Sequence, residues 1–132
     1  MPKVLIIEDD AILQSAYDTV LTMEGYETKT APDGIEGLRL AQQENPDVIL
    51  LDMLMPNLNG LEFLKAFDAK NKHPKTKIIV FSNMSVPSDV KDAMQLGASK
   101  YLTKSSFTPK EMVGIIKEAM ASAGEKSEVK NG

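Results

Sequence analysis

Residues 48–60 read VILLDMLMPNLNG. Four apolar residues come first, as in a strand buried on both faces of a parallel sheet, and the run then ends on Asp52. A carboxylate is costly to bury in an apolar core, so we expect Asp52 at the open end of the strand, just before a Met-Pro-Asn turn. The segment therefore predicts a central strand with a charged residue at its carboxyl end.

Four further short runs are typical of strands: VLII (4–7), YETKTA (26–31), KIIVFS (77–82) and KYLTK (100–104). The segments between them have the apolar spacing of helices, and some begin with capping pairs, Asp33 with Glu36 and Thr108 with Glu111. The third helix is predicted over residues 59–71. Strand and helix alternate five times, which predicts an α/β fold, a doubly wound parallel (βα)5 sheet with helices on both faces.

Composition places the chain among ordinary globular domains. It has 132 residues, 42% of them hydrophobic and 26% charged, and we predict one domain over 1–124 with a polar tail over 125–132. A net charge of −4 gives no sign of nucleic acid or an anionic membrane as a partner. Cysteine is absent, which excludes disulfides and thiolate metal sites and fits a reducing compartment. No apolar run approaches the roughly 20 residues of a membrane span.

Polar side chains follow most of the predicted strands. If the strand order is 2-1-3-4-5, one edge of the sheet gathers Glu8, Asp9 and Asp10, then Asp52, Ser82 and Lys104. Ligands bind at this edge in sheets of this kind. Carboxylates about 5 Å apart repel by on the order of 3 kcal/mol per pair at an effective dielectric near 20. Either Lys104 or a hard divalent cation, best Mg²⁺, is expected to offset that repulsion, and Asp10 is the expected cap of the first helix.

Residues 3–122 thus resemble the receiver domain of two-component response regulators, of which the chemotaxis regulator is the simplest case. The motifs of the resemblance are Glu8-Asp9, the block D-x-x-x-P-x-x-N-G from Asp52 to Gly60, Ser82, Tyr101, and Lys104 three residues later. The resemblance implies a flavodoxin-like sheet in the order 2-1-3-4-5 and a cytoplasmic protein.

The resemblance also implies a role for each residue of the motifs. Asp52 would accept a phosphoryl group from the phosphohistidine of a histidine kinase or phosphotransfer protein. Mg²⁺ would be held by Asp9 and Asp52, by Glu8 through water, and by the main-chain carbonyl of Leu54. Ser82 and Lys104 would hold the phosphoryl oxygens. The chain would then be a stoichiometric phosphoacceptor that promotes its own phosphorylation and slow dephosphorylation, and not an enzyme.

Signalling would follow from the added charge. Ser82 would move to bond the phosphoryl group, and Tyr101 would swing into the vacated space. The face built from the fourth helix, fifth strand and fifth helix, about 88–122, would then bind an unknown downstream protein. Members of the family are monomers or pair when phosphorylated. The sequence does not identify the cognate kinase or the downstream target. We expect either a single-domain regulator or a receiver domain excised from a longer protein.

Two departures from the family pattern lead to further expectations. The family has Lys-Pro-Phe after the fifth strand, whereas this chain has Lys104-Ser105-Ser106-Phe107. The Lys104–Ser105 bond is either trans with a reshaped loop or cis at a cost of about 2.5–4 kcal/mol, and we expect cis because Lys104 must still point at Asp52. In the family, the positions of Leu54 and Met84 flank the path of the hydrolysing water, and these two apolar side chains cannot orient it by hydrogen bonds, so the resemblance predicts slow self-dephosphorylation.

Three alternatives compete with the receiver interpretation. A flavin or nucleotide site needs a Gly/Ser/Thr-rich loop after the first strand, where this chain has EDDAIL. A phosphatase with an aspartyl nucleophile needs a second Asp at the position of Leu54. A pseudo-receiver, which binds a partner without phosphorylation, stays open because of the missing proline. His73, in the basic segment KNKHPKTK, is expected to be a solvated loop residue.

Overall fold

The chain is described by a computed structural model over residues 2–83 and 85–122. Its elements are β1 Lys3–Ile7, α1 Ala11–Met23, β2 Glu27–Ala31, α2 Gly34–Glu44, β3 Val48–Asp52, α3 Gly60–Phe67, α4 Ala69–Lys72, β4 Lys77–Ser82, α5 Pro87–Gln95, β5 Lys100–Thr103, a 3₁₀ turn Lys104–Ser106 and α6 Pro109–Ser122. The five strands are all parallel and pair in the order β2-β1-β3-β4-β5. The predicted (βα)5 fold and strand order are confirmed.

Alternate residues of the central strands supply two separate cores, one on each face of the sheet. On the first face, Leu5, Ile7, Ile49 and Leu51 pack with residues of α2, α3 and α5. On the other face, Val4, Ile6, Val48 and Leu50 pack with residues of α1 and α6. All five residues of β3 are buried, which explains why this strand has no polar residue before its last position.

The helix boundaries follow from local capping. The side chain of Asp10 accepts hydrogen bonds from the amides of Ile12 and Leu13 at the start of α1, as expected. Thr108 and Glu111 bond each other's main-chain amides in a complete capping box at the start of α6. At α2, Asp33 caps the amide of Glu36.

The predicted third helix is interrupted. Asp68 has a left-handed backbone with φ of 52°, and it separates α3 from the short α4. The aspartate tolerates this conformation better than most residues do, so the chain turns there and does not continue one helix over 59–71. The helices predicted as fourth and fifth are therefore α5 and α6.

Two other expectations concern the ends of the chain and membranes. The predicted domain end at residue 124 and the polar tail 125–132 lie outside the described residues. Among residues 2–83 and 85–122, no helix has the length and apolar character needed to span a bilayer.

Candidate functional site: an acidic pocket at the carboxyl edge of the sheet

Three carboxylates meet where β1 and β3 end. Glu8, Asp9 and Asp52 each offer an oxygen, and these oxygens lie within 4.8 Å of one another. Glu8 and Asp52 are only 2% and 4% exposed, whereas Asp9 is exposed. The structure therefore brings together the three acids that the strand order was expected to gather, and it leaves one side of the cluster open to solvent.

Lys104 enters the same pocket from the end of β5. Its ammonium nitrogen lies 2.9 Å from Glu8 Oε1 and 3.2 Å from Asp52 Oδ2. One cation thus contacts two buried carboxylates, while the third carboxylate, on Asp9, remains at the surface. The pocket keeps an excess of negative charge.

Burial and the neighbouring charges shift the pKa values of Asp52 and Lys104. Burial, together with the nearby charge of Glu8, raises the pKa of Asp52 to about 7, although Lys104 acts in the opposite direction. Burial lowers the pKa of Lys104, but the hydrogen bond to Glu8 and the charge of Asp52 outweigh it, and the net shift is upward. A divalent cation would relieve the repulsion, and an all-oxygen donor set with an open side fits a hard ion such as Mg²⁺.

The main chain around Glu8 is held by a residue that the sequence did not single out. Gln14, on α1, donates hydrogen bonds from its side-chain amide to the carbonyls of Glu8 at 3.0 Å and Ala31 at 3.1 Å. The Glu8 carboxylate itself accepts a hydrogen bond from the amide of Asp10. Gln14 therefore ties the carboxyl ends of β1 and β2 together beneath the acidic pair. No local pattern marks a helical glutamine for this role.

The loop after Asp52 is fixed at several points. The amide of Leu54 donates to Asp52 Oδ1 at 3.2 Å, and the amide of Gly60 donates to the carbonyl of Met53 at 3.0 Å. Asn57 has φ of 72° and donates from its side chain to Asp33 at the start of α2. The side chain of Leu54 is 66% exposed and points away from the core.

The same loop packs directly on α2. Gly34, the first residue of α2, lies so close to Leu58 that a Cβ added to Gly34 would stand 2.1 Å from the Leu58 carbonyl oxygen. The contact requires glycine for close approach and not for an unusual φ. The phosphoacceptor candidate Asp52 is therefore followed by a loop that is braced against a neighbouring helix.

Ser82 and Tyr101 lie on the side of the pocket formed by β4 and β5. Ser82 ends β4, is 4% exposed, and is in register with Thr103, whereas its neighbour Phe81 is in register with Asp52. Tyr101 is half-buried, and its hydroxyl is buried with no hydrogen-bond partner among the described residues. Leaving a buried hydroxyl unpaired costs about 1–3 kcal/mol, so this side chain gains from any position in which the hydroxyl is solvated.

The expectation of a cis bond after Lys104 is wrong. All peptide bonds in the described residues are trans, and Lys104–Ser106 form a 3₁₀ turn in which the amide of Phe107 reaches the carbonyl of Lys104. The turn changes the direction of the chain without a cis bond, and Lys104 still reaches Asp52 and Glu8. Beside it, the hydroxyls of Ser85 and Thr103 lie 2.7 Å apart. Met84 lies outside the described residues.

His73 is less solvated than expected. It is half-buried, and its ring stacks on Phe67 with centroids 4.1 Å apart and planes 5° apart. The histidine lies at the amino edge of the sheet, far from the acidic pocket along the strands.

The chain is similar to response regulator receiver domains both in sequence and in structure. The family model of the response regulator receiver domain matches residues 4–117. A probable transcriptional regulator, ycf27 of Guillardia theta, is 36% identical over 118 residues, which are 89% of this chain and 45% of that protein. The chain spans about half the length of the curated relatives it matches.

Solved structures match over nearly their whole length. A CheY-like receiver domain protein from Methanospirillum hungatei superimposes with a TM-score of 0.87 at 25% identity, covering 96% of this chain and 99% of that one. The chemotaxis protein CheY4 of Vibrio cholerae gives 0.82 at 31% identity, covering 90% of this chain and 98% of that one.

Proposed function

Because the chain belongs to the response regulator receiver domain family, we propose that Asp52 accepts a phosphoryl group from the phosphohistidine of a histidine kinase or phosphotransfer protein. The observation that carries this proposal is the contact of Lys104 with both Asp52 and Glu8 in a pocket of three carboxylates. A salt bridge made only for stability would not need a third acid at the open side.

The pocket residues have different roles in phosphoryl transfer. A carboxylate oxygen of Asp52 forms a bond to phosphorus while the bond from phosphorus to the donor imidazole breaks. Lys104 lies within 3.2 Å of Asp52, so its ammonium can hold a phosphoryl oxygen as charge develops there. Ser82, buried at the end of β4, would hold another. The chain acts once per phosphoryl group, as an acceptor that promotes its own modification.

The proposal includes a divalent cation. Asp9 and Asp52 would hold Mg²⁺ directly, Glu8 through water, and Leu54 through its carbonyl. When bound, the cation neutralises negative charge on the carboxylates and the phosphoryl group. The closeness of the three carboxylates, which have oxygens within 4.8 Å of one another, supports this assignment, because a bound cation would relieve the repulsion between them.

Phosphorylation would be read out on the face formed by α5, β5 and α6. The acyl phosphate adds about −1.5 to −2 charge and three acceptor oxygens, one of which Ser82 can bond. The hydroxyl of Tyr101 has no hydrogen-bond partner among the described residues, which supports a second position of this side chain in which the hydroxyl is solvated or bonded. A downstream protein that binds only one arrangement of this face would then respond to the state of Asp52.

The proposal is tested with beryllofluoride and Mg²⁺, which together mimic the acyl phosphate. We expect the amide NMR signals near Asp52, Ser82 and Tyr101 to shift in the wild type and to stay in place in Asp52→Ala. Unshifted wild-type signals, or equal shifts in both chains, would overturn the proposal and favour a binding module that does not use phosphorylation.

A further inference from the structure

Residues 70–77, called here the basic turn, form a cluster of positive charge on an acidic chain. The segment reads KNKHPKTK and holds four lysines and the single histidine with no acidic residue. The rest of the chain has 11 of the 15 basic residues and all 19 acidic ones. The basic turn is therefore opposite in charge to the remainder of the protein.

The four lysines are not used inside the fold. None of Lys70, Lys72, Lys75 and Lys77 lies within 4.0 Å of a carboxylate of the described residues, whereas Lys3, Arg39, Lys104 and Lys117 all do. The nearest acids have other partners, since Asp68 bonds Asn71 and Asp47 accepts from the amide of Lys3. Four cations so close together repel one another, and no ion pair with a carboxylate of the described residues offsets that repulsion.

The basic turn is nevertheless held in one shape. His73 stacks on Phe67, which is fully buried, and its carbonyl accepts a hydrogen bond from the amide of Thr76 at 3.1 Å. The hydroxyl of Thr76 donates to the carbonyl of Pro46 at 3.0 Å, and the amide of Lys77 donates to the carbonyl of Asp47. A segment whose backbone is already ordered loses less entropy on binding than a flexible one does.

Two open cavities flank the stacked histidine. One, of about 320 Å³, has Lys70, His73 and Lys77 on its wall and the small residues Gly97 and Ser99 beside them. The other, of about 400 Å³, has Lys72 and Lys75 on its wall together with the acidic Asp47. Lysines therefore border two neighbouring concave surfaces that share His73, Pro74 and Thr76.

We propose that the basic turn is a docking surface for an acidic segment of a partner protein, a short stretch rich in Glu or Asp. The charges are complementary, and the paired cavities suit side chains on successive residues of an extended segment. A long polyanion such as DNA, or an anionic bilayer, would also face the acidic remainder of the chain. A short segment meets mainly the four lysines, with Asp47 the one acidic residue on the walls of the two cavities, because charges beyond about 8 Å are largely screened at physiological salt.

The proposed surface is independent of phosphorylation. Lys77 pairs with Val48 at the start of β3, whereas Asp52 ends that strand. The four steps from Val48 to Asp52 span about 13 Å at roughly 3.3 Å per residue, and the two sites lie at opposite edges of the sheet. A partner on the basic turn leaves the acidic pocket accessible to its phosphodonor.

The test uses hexaglutamate peptide and the full, isotope-labelled chain at low salt. We expect amide shifts confined to residues 69–77 and 97–100, an affinity about tenfold weaker in the double variant Lys72→Glu/Lys75→Glu, and further weakening as salt is raised. The matched control is Lys91→Glu/Lys110→Glu, which changes net charge equally at exposed lysines elsewhere and is expected to bind like the wild type. Asp52→Asn is also expected to bind normally, so failure of the phosphoacceptor proposal would leave this one standing.

Three outcomes would overturn the inference. The first is a set of shifts spread evenly over all exposed lysines. The second is equal weakening in the two double variants, which would mean that net charge alone governs binding. The third is tighter binding of a DNA duplex or of phosphatidylserine vesicles than of the peptide at residues 70–77, which would assign the surface to a different class of partner.

Discussion

Replacing Gly34 by alanine tests the packing between α2 and the loop that follows Asp52. The new Cβ would lie 2.1 Å from the Leu58 carbonyl oxygen and 2.7 Å from the Leu58 Cβ. Carbon atoms pack best at about 3.5–4.0 Å, so the helix and the loop would have to separate by roughly 1 Å or more. The obstacle is main chain and cannot rotate aside. We expect a loss in the free energy of unfolding of about 3 kcal/mol, near the upper end for overpacking.

Gly114 provides the matched control. It lies inside α6, and a Cβ built there meets no atom within 4 Å. Alanine in a helix interior is favoured over glycine by about 0.5–1 kcal/mol, so Gly114→Ala is expected to stabilise the chain. The same chemical change should therefore have opposite signs at the two positions.

Urea unfolding followed by far-ultraviolet circular dichroism measures both effects. With a urea m-value of about 1–3 kcal/mol/M, the midpoint of Gly34→Ala should fall by about 1–2 M or more, and that of Gly114→Ala should rise slightly. The reasoning is refuted if Gly34→Ala unfolds at the same urea concentration as Gly114→Ala or at a higher one, because the close contact with Leu58 would then carry no cost.

Three further predictions concern the pocket and its surroundings. Mg²⁺ at ten times its dissociation constant should raise the free energy of unfolding of the wild type by about 1.4 kcal/mol, and Asp9→Asn should lose most of that gain in the same urea assay. Leu54→Asn should shorten the lifetime of the phosphoryl group on Asp52 severalfold, measured by loss of radiolabel, because an amide can orient water. Burial raises the pKa of Tyr17 to about 12. Since only the unfolded chain then releases this proton between pH 10 and 12, stability should fall as pH rises through that range, and less so in Tyr17→Phe.

Each of these has an outcome that contradicts it. Equal Mg²⁺ stabilisation of the wild type and Asp9→Asn would remove Asp9 from the ion site. A phosphoryl lifetime shorter in the wild type than in Leu54→Asn would contradict the hypothesis of slow self-dephosphorylation. The same alkaline loss of stability in Tyr17→Phe and the wild type would show that other groups account for it.

The strands were the most predictable part of the fold. β3 and β4 span 48–52 and 77–82 as predicted, because the interior of a strand buried on both faces has no room for a polar residue. The third helix was predicted over 59–71 from the spacing of Leu61, Leu64 and Phe67, and that spacing does not mark an end at residue 67. The left-handed backbone of Asp68 ends the helix there, and the spacing of apolar residues carries no information about such a conformation.

The site was predictable where strand ends alone determine it. Parallel strands place their last residues at one edge, so the meeting of Glu8, Asp52 and Lys104 follows from strand order. The trans geometry after Lys104 did not follow, because a 3₁₀ turn and a cis bond can both redirect the chain. The two hydrogen bonds of the Gln14 side chain were also not predictable from the sequence, since they join two strands through a residue on a helix.

Three carboxylates lie where the strands end, and four lysines lie in the basic turn at the start of β4. These two clusters contribute an electric dipole component directed along the strands. In the field of an acidic partner the chain experiences a torque that turns its lysine edge forward during diffusion, before any atoms touch. Orientation is then selected at the encounter itself, and the rate of productive collision falls as added salt shortens the range of the field.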